Sequence, residues 1–114
     1  KVKVHEVLAA VDCGTVINPA SVKAQISSAI IFGLSSPLKS KITMKNGRIT
    51  QSNFDDFEVL RMNEAPKIHV YLADNAKAPK GVGEPGLPPI APAVVNAVYA
   101  ATGNRVRNLP IQLG

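Results

Sequence analysis

The 114 residues contain no tryptophan, and cysteine occurs once, as Cys13. A single thiol excludes a disulfide framework, and it excludes zinc or iron–sulfur sites built from several thiolates. Aromatic residues make up only 4% of the chain. The core must therefore come from Val, Ile, Leu and Ala. Charged residues are few as well, 18% against 46% hydrophobic, which is a globular composition rather than a disordered one. No apolar run is long enough to cross a bilayer, so no membrane span is expected. The N-terminal Lys1-Val2-Lys3-Val4-His5-Glu6 lacks the pattern of a targeting signal and reads as the inside of a strand, as if the chain began within something larger.

The formal net charge is +5 and the sequence pI is about 9.6. Such a balance invites a nucleic-acid reading. The basic residues argue against it: Lys23, Lys39, Lys45, Arg61, Lys67 and Lys80 fall in separate segments and are not interleaved with stacking aromatics. A solvated basic surface is expected, with no nucleic-acid partner. The length suits a single domain spanning residues 1–114.

Val2 and Val4 alternate with polar neighbours, and Val7, Ala9 and Val11 alternate in the opposite phase. This pattern predicts a strand with a bulge near His5-Glu6. Asn18-Pro19 has the chemistry of a helix start, an N-cap followed by a residue with no N–H to waste. Val22, Ile26, Ala29, Ile30 and Gly33 then recur at helical spacing. Ile31 and Leu34 on the other side predict a helix end buried all round, and Pro37 marks its stop. Lys41 to Gln51 reads as a hairpin about Asn46-Gly47. Ser52 to Pro66 is a loop with a short turn, and Lys67 to Ala73 is a strand with Ile68, Val70 and Leu72 on one face. Ala78 to Pro92 is too rich in Gly and Pro for regular structure. A helix is expected at Pro89 to Thr102, stopped by Gly103, and Leu109-Pro110-Ile111 suggests a short edge strand. The order β-α-β-β-β-α predicts a two-layer α+β fold, one mixed sheet with both helices packed on one face.

Two loop-to-helix junctions offer places for chemistry, Asp12-Cys13-Gly14 to Asn18-Pro19 and Gly81 to Gly86. Glycines let backbone amides approach a ligand, and helix N-termini favour anions. Such loops are more often tight connections than sites. Glu84 is the one carboxylate of the second loop. It is either a general base or a solvated acid favoured by the helix start that follows. His5 and His69 have no third partner at ligand spacing, and Asp55-Asp56 lacks the spacing of a cation loop, so no metal ligands are assigned. Cys13 reads as a buried, inert thiol.

Asp12-Cys13-Gly14-Thr15-Val16-Ile17-Asn18-Pro19 resembles a pattern in the molybdopterin-binding subunits of the xanthine dehydrogenase/aldehyde oxidase family. Ile31-Phe32-Gly33-Leu34-Ser35 continues the likeness. Ser52-Asn53-Phe54-Asp55-Asp56-Phe57 and Leu60-Arg61-Met62-Asn63-Glu64-Ala65-Pro66 are similar to the isoquinoline 1-oxidoreductase beta-subunit branch. Gly81-Val82-Gly83-Glu84-Pro85-Gly86, followed by Pro88-Pro89-Ile90-Ala91-Pro92-Ala93, is similar to the family's active-site segment.

The resemblance implies that Glu84 is the catalytic base, that Gln25 contacts the pterin, and that Gly81, Val82 and Gly83 bring backbone to the cofactor. Where the family has Gln-x-Glu-Gly-Gly, this chain has Gln25-Ile26-Ser27-Ser28-Ala29, so Ser28 stands at a glycine position. The implied activity is oxidation of an N-heteroaromatic or aldehyde substrate with water as oxygen source. The implied cofactor is molybdenum-molybdopterin, in its cytosine dinucleotide form, and the implied setting is the bacterial cytoplasm, with the periplasm as the alternative. The implied partners are the remainder of the molybdopterin subunit and an iron–sulfur small subunit. At 114 residues the chain is expected to be inactive by itself, to hold no cofactor alone and to self-associate through apolar surface. The competing reading is a non-catalytic binding or assembly module that kept the fold.

Overall fold

The computed structural model describes residues 1–73 and 75–113. Strand β1 (Glu6–Val11) leads to helix α1 (Pro19–Leu38). The minimal hairpin β2 (Met44–Lys45) and β3 (Arg48–Ile49) follows. A 3₁₀ turn (Met62–Glu64) precedes β4 (Lys67–Leu72), and α2 (Ile90–Thr102) follows a long irregular stretch. Class and order are those expected from the sequence, two helices with short strands in an α+β arrangement.

The strands do not form one mixed sheet. β1 pairs with β4 in parallel, Glu6 opposite Lys67 through Val11 opposite Leu72, while β2 and β3 pair only with each other. The hairpin closes on itself through Thr50 N–H to the Thr43 carbonyl (3.0 Å) and Thr43 N–H to Gln51 Oε1 (2.7 Å). It leaves Met44 and Ile49, paired across the hairpin, exposed to solvent instead of packed on the other sheet. Asn46 and Gly47 both adopt positive φ, 51° and 75°, the pair of conformations that a tight two-residue hairpin turn requires.

The phase change near His5-Glu6 is present in the burial: Val2 and Val4 are half-buried, His5 and Glu6 are both exposed, and Val7, Ala9 and Val11 are half-buried. Regular pairing begins only at Glu6, so the residues before it are not part of the strand. α1 starts as expected, with Asn18 Oδ1 accepting from Ser21 N–H (3.0 Å). It runs one residue past Pro37 instead of stopping there. A proline this near the end removes a single helical bond, and the Ser35 carbonyl closes the helix by accepting from both Lys39 and Ser40 N–H. The helix end is not buried all round, because Phe32 is 64% exposed. Gly103 ends α2 at φ 73°, its N–H bonded to the Tyr99 carbonyl (2.8 Å). Leu109-Pro110-Ile111 forms no strand. Pro110 has no N–H to offer a ladder, and the tail is tied by Ile111 N–H to the Pro37 carbonyl (2.7 Å) at the end of α1.

The core is where α1 meets α2 and the inner face of the β1–β4 pair. Ile26, Ile30 and Leu34 of α1 lie against Ile90 and Val94 of α2, with Cys13 buried among them and Val7, Ala9, Ile68 and Val70 packed on top. Close approach of the helices depends on Gly33: a Cβ there would sit 2.5 Å from the Ile90 side chain. An ion pair, Lys39 Nζ to Glu64 Oε2 at 2.6 Å, pins the 3₁₀ turn to the end of α1.

Candidate functional site

Both parallel strands end at the same edge, and the segments leaving them are laced together. Asp12, the first residue past β1, accepts from Gly14 N–H (3.1 Å) and from Asn75 Nδ2 (2.7 Å). Thr15 donates its N–H to the Lys77 carbonyl (2.9 Å), and its hydroxyl reaches the Lys77 and Asn75 carbonyls (2.8 and 3.1 Å). Lys80 N–H donates to the Cys13 carbonyl (2.8 Å). Gly14 has φ 74°, and a Cβ on it would stand 2.2 Å from the Ala78 carbonyl oxygen, so only glycine lets the 77–80 segment approach. The hydrogen bond from Gly14 N–H, then that from Asn75, holds the Asp12 carboxyl below its ordinary range, helped by the charges of Lys77 and Lys80.

This clamp delivers the chain to Gly81–Gly86. Val82 turns inward and packs on the core, half-buried. Gly86 is buried against α1, where a Cβ would meet the Ile26 carbonyl at 3.0 Å and the Ala29 methyl at 3.1 Å. Leu87 N–H donates back to the Glu84 carbonyl (2.8 Å), which forms the turn into α2. Gly81 and Gly83 differ from Gly86. Neither has positive φ, and a Cβ on either would meet nothing within 4 Å. Turn geometry and packing within the chain therefore leave their identity unexplained. What they do is bare the backbone on both sides of an anchored valine.

The residues singled out in the sequence divide between two places. Gly81 and Val82 line a groove of about 390 Å³ together with Cys13, Ile26, Pro85 and Gly86. Gly83, Glu84 and Gln25 are exposed. Gln25 is the α1 residue next to Ile26, where Gly86 docks. Ser28 is exposed on the same helix, beside Ala29. His69 Nε2 lies 2.8 Å from Glu6 Oε1 across the strand pair. Asp56 braces its own loop by accepting from Asn53 and Ser52 N–H, and these bonds, that from Asn53 first, lower its carboxyl. Among the described residues no three His, Cys, Asp or Glu side chains converge on a metal site, and no helix is long and apolar enough to cross a membrane.

Thr15 lies within the first junction singled out in the sequence, but its partner Asn75 carries no signal there. Asn75 is 63 residues from the Asp12 it bonds, and no local pattern could pair them. Only the parallel register, which ends both strands together, makes them neighbours.

Comparison with known proteins gives consistent matches. The family model described as molybdopterin cofactor-binding domain matches residues 1–66, a stretch that contains Gln25 and stops short of Glu84. The isoquinoline 1-oxidoreductase subunit beta of Brevundimonas diminuta is 43% identical over 96% of this chain. The aldehyde oxidoreductase molybdenum-binding subunit of Escherichia coli strain K12 is 34% identical over 99% of it. Among solved structures, quinoline 2-oxidoreductase from Pseudomonas putida 86 superposes with a TM-score of 0.84 at 25% identity, covering 95% of this chain. The chain spans 14%, 16% and 15% of the length of these three proteins, respectively.

Proposed function

The chain belongs to the molybdopterin cofactor-binding domain family, and we propose that it forms part of the cofactor-facing wall in the large subunit of a molybdenum hydroxylase that oxidises an N-heteroaromatic or aldehyde substrate. The observation that carries this reading is the pair of open glycines about Val82. Such a loop can lie flat against a large planar group, because no side chain of Gly81 or Gly83 would hold it off. The residues present thus fit a pterin-type cofactor.

In this reading the backbone N–H groups of Gly81, Val82 and Gly83 hold the cofactor's polar edge, and the Gln25 amide, one residue from the loop-docking point on α1, bonds the pterin. The bound group, molybdenum-molybdopterin in its cytosine dinucleotide form, supplies the two-electron oxidation. Glu84 supplies the base. Its carboxylate, exposed at the loop turn, would take the proton of the water-derived oxygen as that oxygen bonds to an electron-poor carbon, and the hydrogen displaced from that carbon would leave with its electron pair to the bound group. The Asp12–Asn75 clamp and the Gly86 contact fix the loop at both ends, so that the Glu84 backbone does not have to be ordered during turnover. The remainder of the large subunit encloses the substrate, and an iron–sulfur small subunit carries electrons away. The chain by itself is inactive and holds no stoichiometric molybdenum.

The test uses this chain in place of the matching 109 residues of the isoquinoline 1-oxidoreductase subunit. Glu84→Gln should lower turnover by about a hundredfold to ten-thousandfold, the usual worth of a general base. Molybdenum content should stay level, because the amide preserves size and loop shape. Turnover near that of the unsubstituted chimera would reject the base role.

A further inference from the structure

β1 has a partner on one side only. Lys67 N–H donates to the His5 carbonyl (3.0 Å) and Ala73 N–H to the Val11 carbonyl (2.9 Å). In a parallel ladder, successive residues direct their backbone groups to alternate sides. His5, Val7, Ala9 and Val11 therefore face β4, while Glu6, Leu8 and Ala10 point N–H and C=O away from it. No strand among the described residues pairs with that edge.

The free edge borders a groove rather than open solvent. A hollow of about 580 Å³ lies between β1 and α2, continuous with the 390 Å³ groove through shared Val7, Leu8, Ile90 and Ala93. Consecutive residues of β1, inward and outward alike, line it, so it follows the edge of the strand rather than the underside of one face. Its far wall is the small-residue stripe Ala93, Ala97 and Ala101 of α2. Ala97 and Ala101 are exposed although they stand one and two turns beyond Ala93 on an apolar helix. The outer face of the strand pair is bare as well, with Leu8 66% and Tyr71 59% exposed. Parallel strands are normally covered on both faces, and exposed edges are normally blocked by charge, proline or a covering element. Among the described residues nothing of the kind stands at Leu8-Ala9-Ala10.

We propose that this edge and the α2 stripe receive an extended β-segment from the remainder of the large subunit. That segment pairs its backbone with Glu6, Leu8 and Ala10 and lays small or β-branched side chains against Ala93, Ala97 and Ala101. Relatives about seven times the length of this chain supply the source of such a segment. A second copy of the chain is a poor occupant: edge-to-edge pairing would carry its own α2 into the same groove. The assignment rests on the reading of the chain as part of that subunit, and it names the surface at which the parts join.

The experiment co-expresses this chain with the Brevundimonas diminuta subunit lacking its matching stretch. Amide hydrogen exchange is then compared in the assembled pair and in the chain alone. Exchange at Glu6, Leu8 and Ala10 should slow by at least about tenfold on assembly, while Val7, Ala9 and Val11, already bonded to β4, change less. Ala97→Arg, at an exposed helix position, should leave the far-ultraviolet circular dichroism of the chain unchanged and reduce capture of the complementary part by about tenfold or more. Unaltered exchange at the three outward amides in the assembled pair overturns the proposal. Capture by Ala97→Arg equal to that of the unsubstituted chain also overturns it, as does failure of the two parts to associate. A pair that assembles with the expected protection but holds no molybdenum would instead reject the cofactor reading and leave the strand-addition surface standing.

Discussion

Three glycines have nearly the same positive φ: Gly14 at 74°, Gly47 at 75° and Gly103 at 73°. They differ in what surrounds them. A Cβ on Gly47 or Gly103 meets nothing within 4 Å, whereas a Cβ on Gly14 stands 2.2 Å from the Ala78 carbonyl oxygen and 3.0 Å from that of Lys77. Alanine at all three positions therefore separates the backbone cost from the steric one. The left-handed conformation costs an L-residue roughly 1–2 kcal/mol. Stiffening of the unfolded chain returns about 0.4–1 kcal/mol, so Gly47→Ala and Gly103→Ala should each lose about 1 kcal/mol. At Gly14 the methyl must also move the 77–80 segment by roughly 1 Å to reach ordinary contact near 3.5 Å. That shift breaks or stretches Thr15 N–H to Lys77 and Lys80 N–H to Cys13. At about 1 kcal/mol for each bond, the total for Gly14→Ala is about 3 kcal/mol.

Thermal denaturation followed by circular dichroism is the assay. For a chain of this length, 1 kcal/mol lowers Tm by about 4 °C. Gly14→Ala should therefore fall about 12 °C, and the two controls about 4 °C each. Proteolysis should also become faster within 77–83 in Gly14→Ala alone, because the clamp is the element released. A drop for Gly14→Ala equal to that of Gly47→Ala would refute the claim that the approach of the 77–80 segment to Gly14 holds the Gly81–Gly86 loop.

Leu34 has no exposed surface and belongs to the core cluster that α1 and α2 share, so Leu34→Ala should cost about 2–5 kcal/mol in urea unfolding. A loss below about 1 kcal/mol would mean that the helices do not pack as described. Asp12, Asp56 and Glu64 all have carboxyls lowered by bonds that exist only in the folded chain. A group whose folded pKa is depressed adds stability above its unfolded value and loses it as pH falls through the folded one. The urea midpoint should therefore be flat at neutral pH and decline below about pH 4. Lys39→Met, which removes the main cause for Glu64, should make that decline shallower; a midpoint that rises toward acid would contradict the assignment.

Local chemistry was readable wherever one short segment determines the outcome. Asn18-Pro19, Asn46-Gly47 and Gly103 announce a helix start, a turn and a helix stop through their own backbone preferences, and each sits where those preferences put it. Pro37 misled because a single missing N–H near a helix end costs one bond, and the neighbouring Ser35 carbonyl accepts the two that close the turn. The expectation of one mixed sheet failed for a different reason. Strand pairing is a non-local decision, and nothing inside Lys41–Gln51 says whether a two-residue ladder will find a third strand or close on itself.

The same distinction governs the candidate site. Glu84 and the glycines around it could be picked out because carboxylate and glycine are conspicuous in a short loop, yet the packing of that loop on α1 depends on Gly86 docking at Ile26 of a helix more than fifty residues earlier. The glycines also carry information that only the structure separates. Gly14 is required by φ and by a carbonyl oxygen, Gly33 by Ile90, and Gly86 by α1; these three are explained by the chain itself. Gly81 and Gly83 are not, since their backbones are ordinary and their surroundings empty. A residue that loses more backbone entropy on folding than any other, used twice in three positions without local need, points to a constraint outside the 114 residues. The open edge of β1 and the uncovered stripe of α2 have the same character. The inner core is accounted for within the chain. In the proposed reading the loop about Val82 and the groove beside β1 are halves of contacts, one with a cofactor and one with more polypeptide.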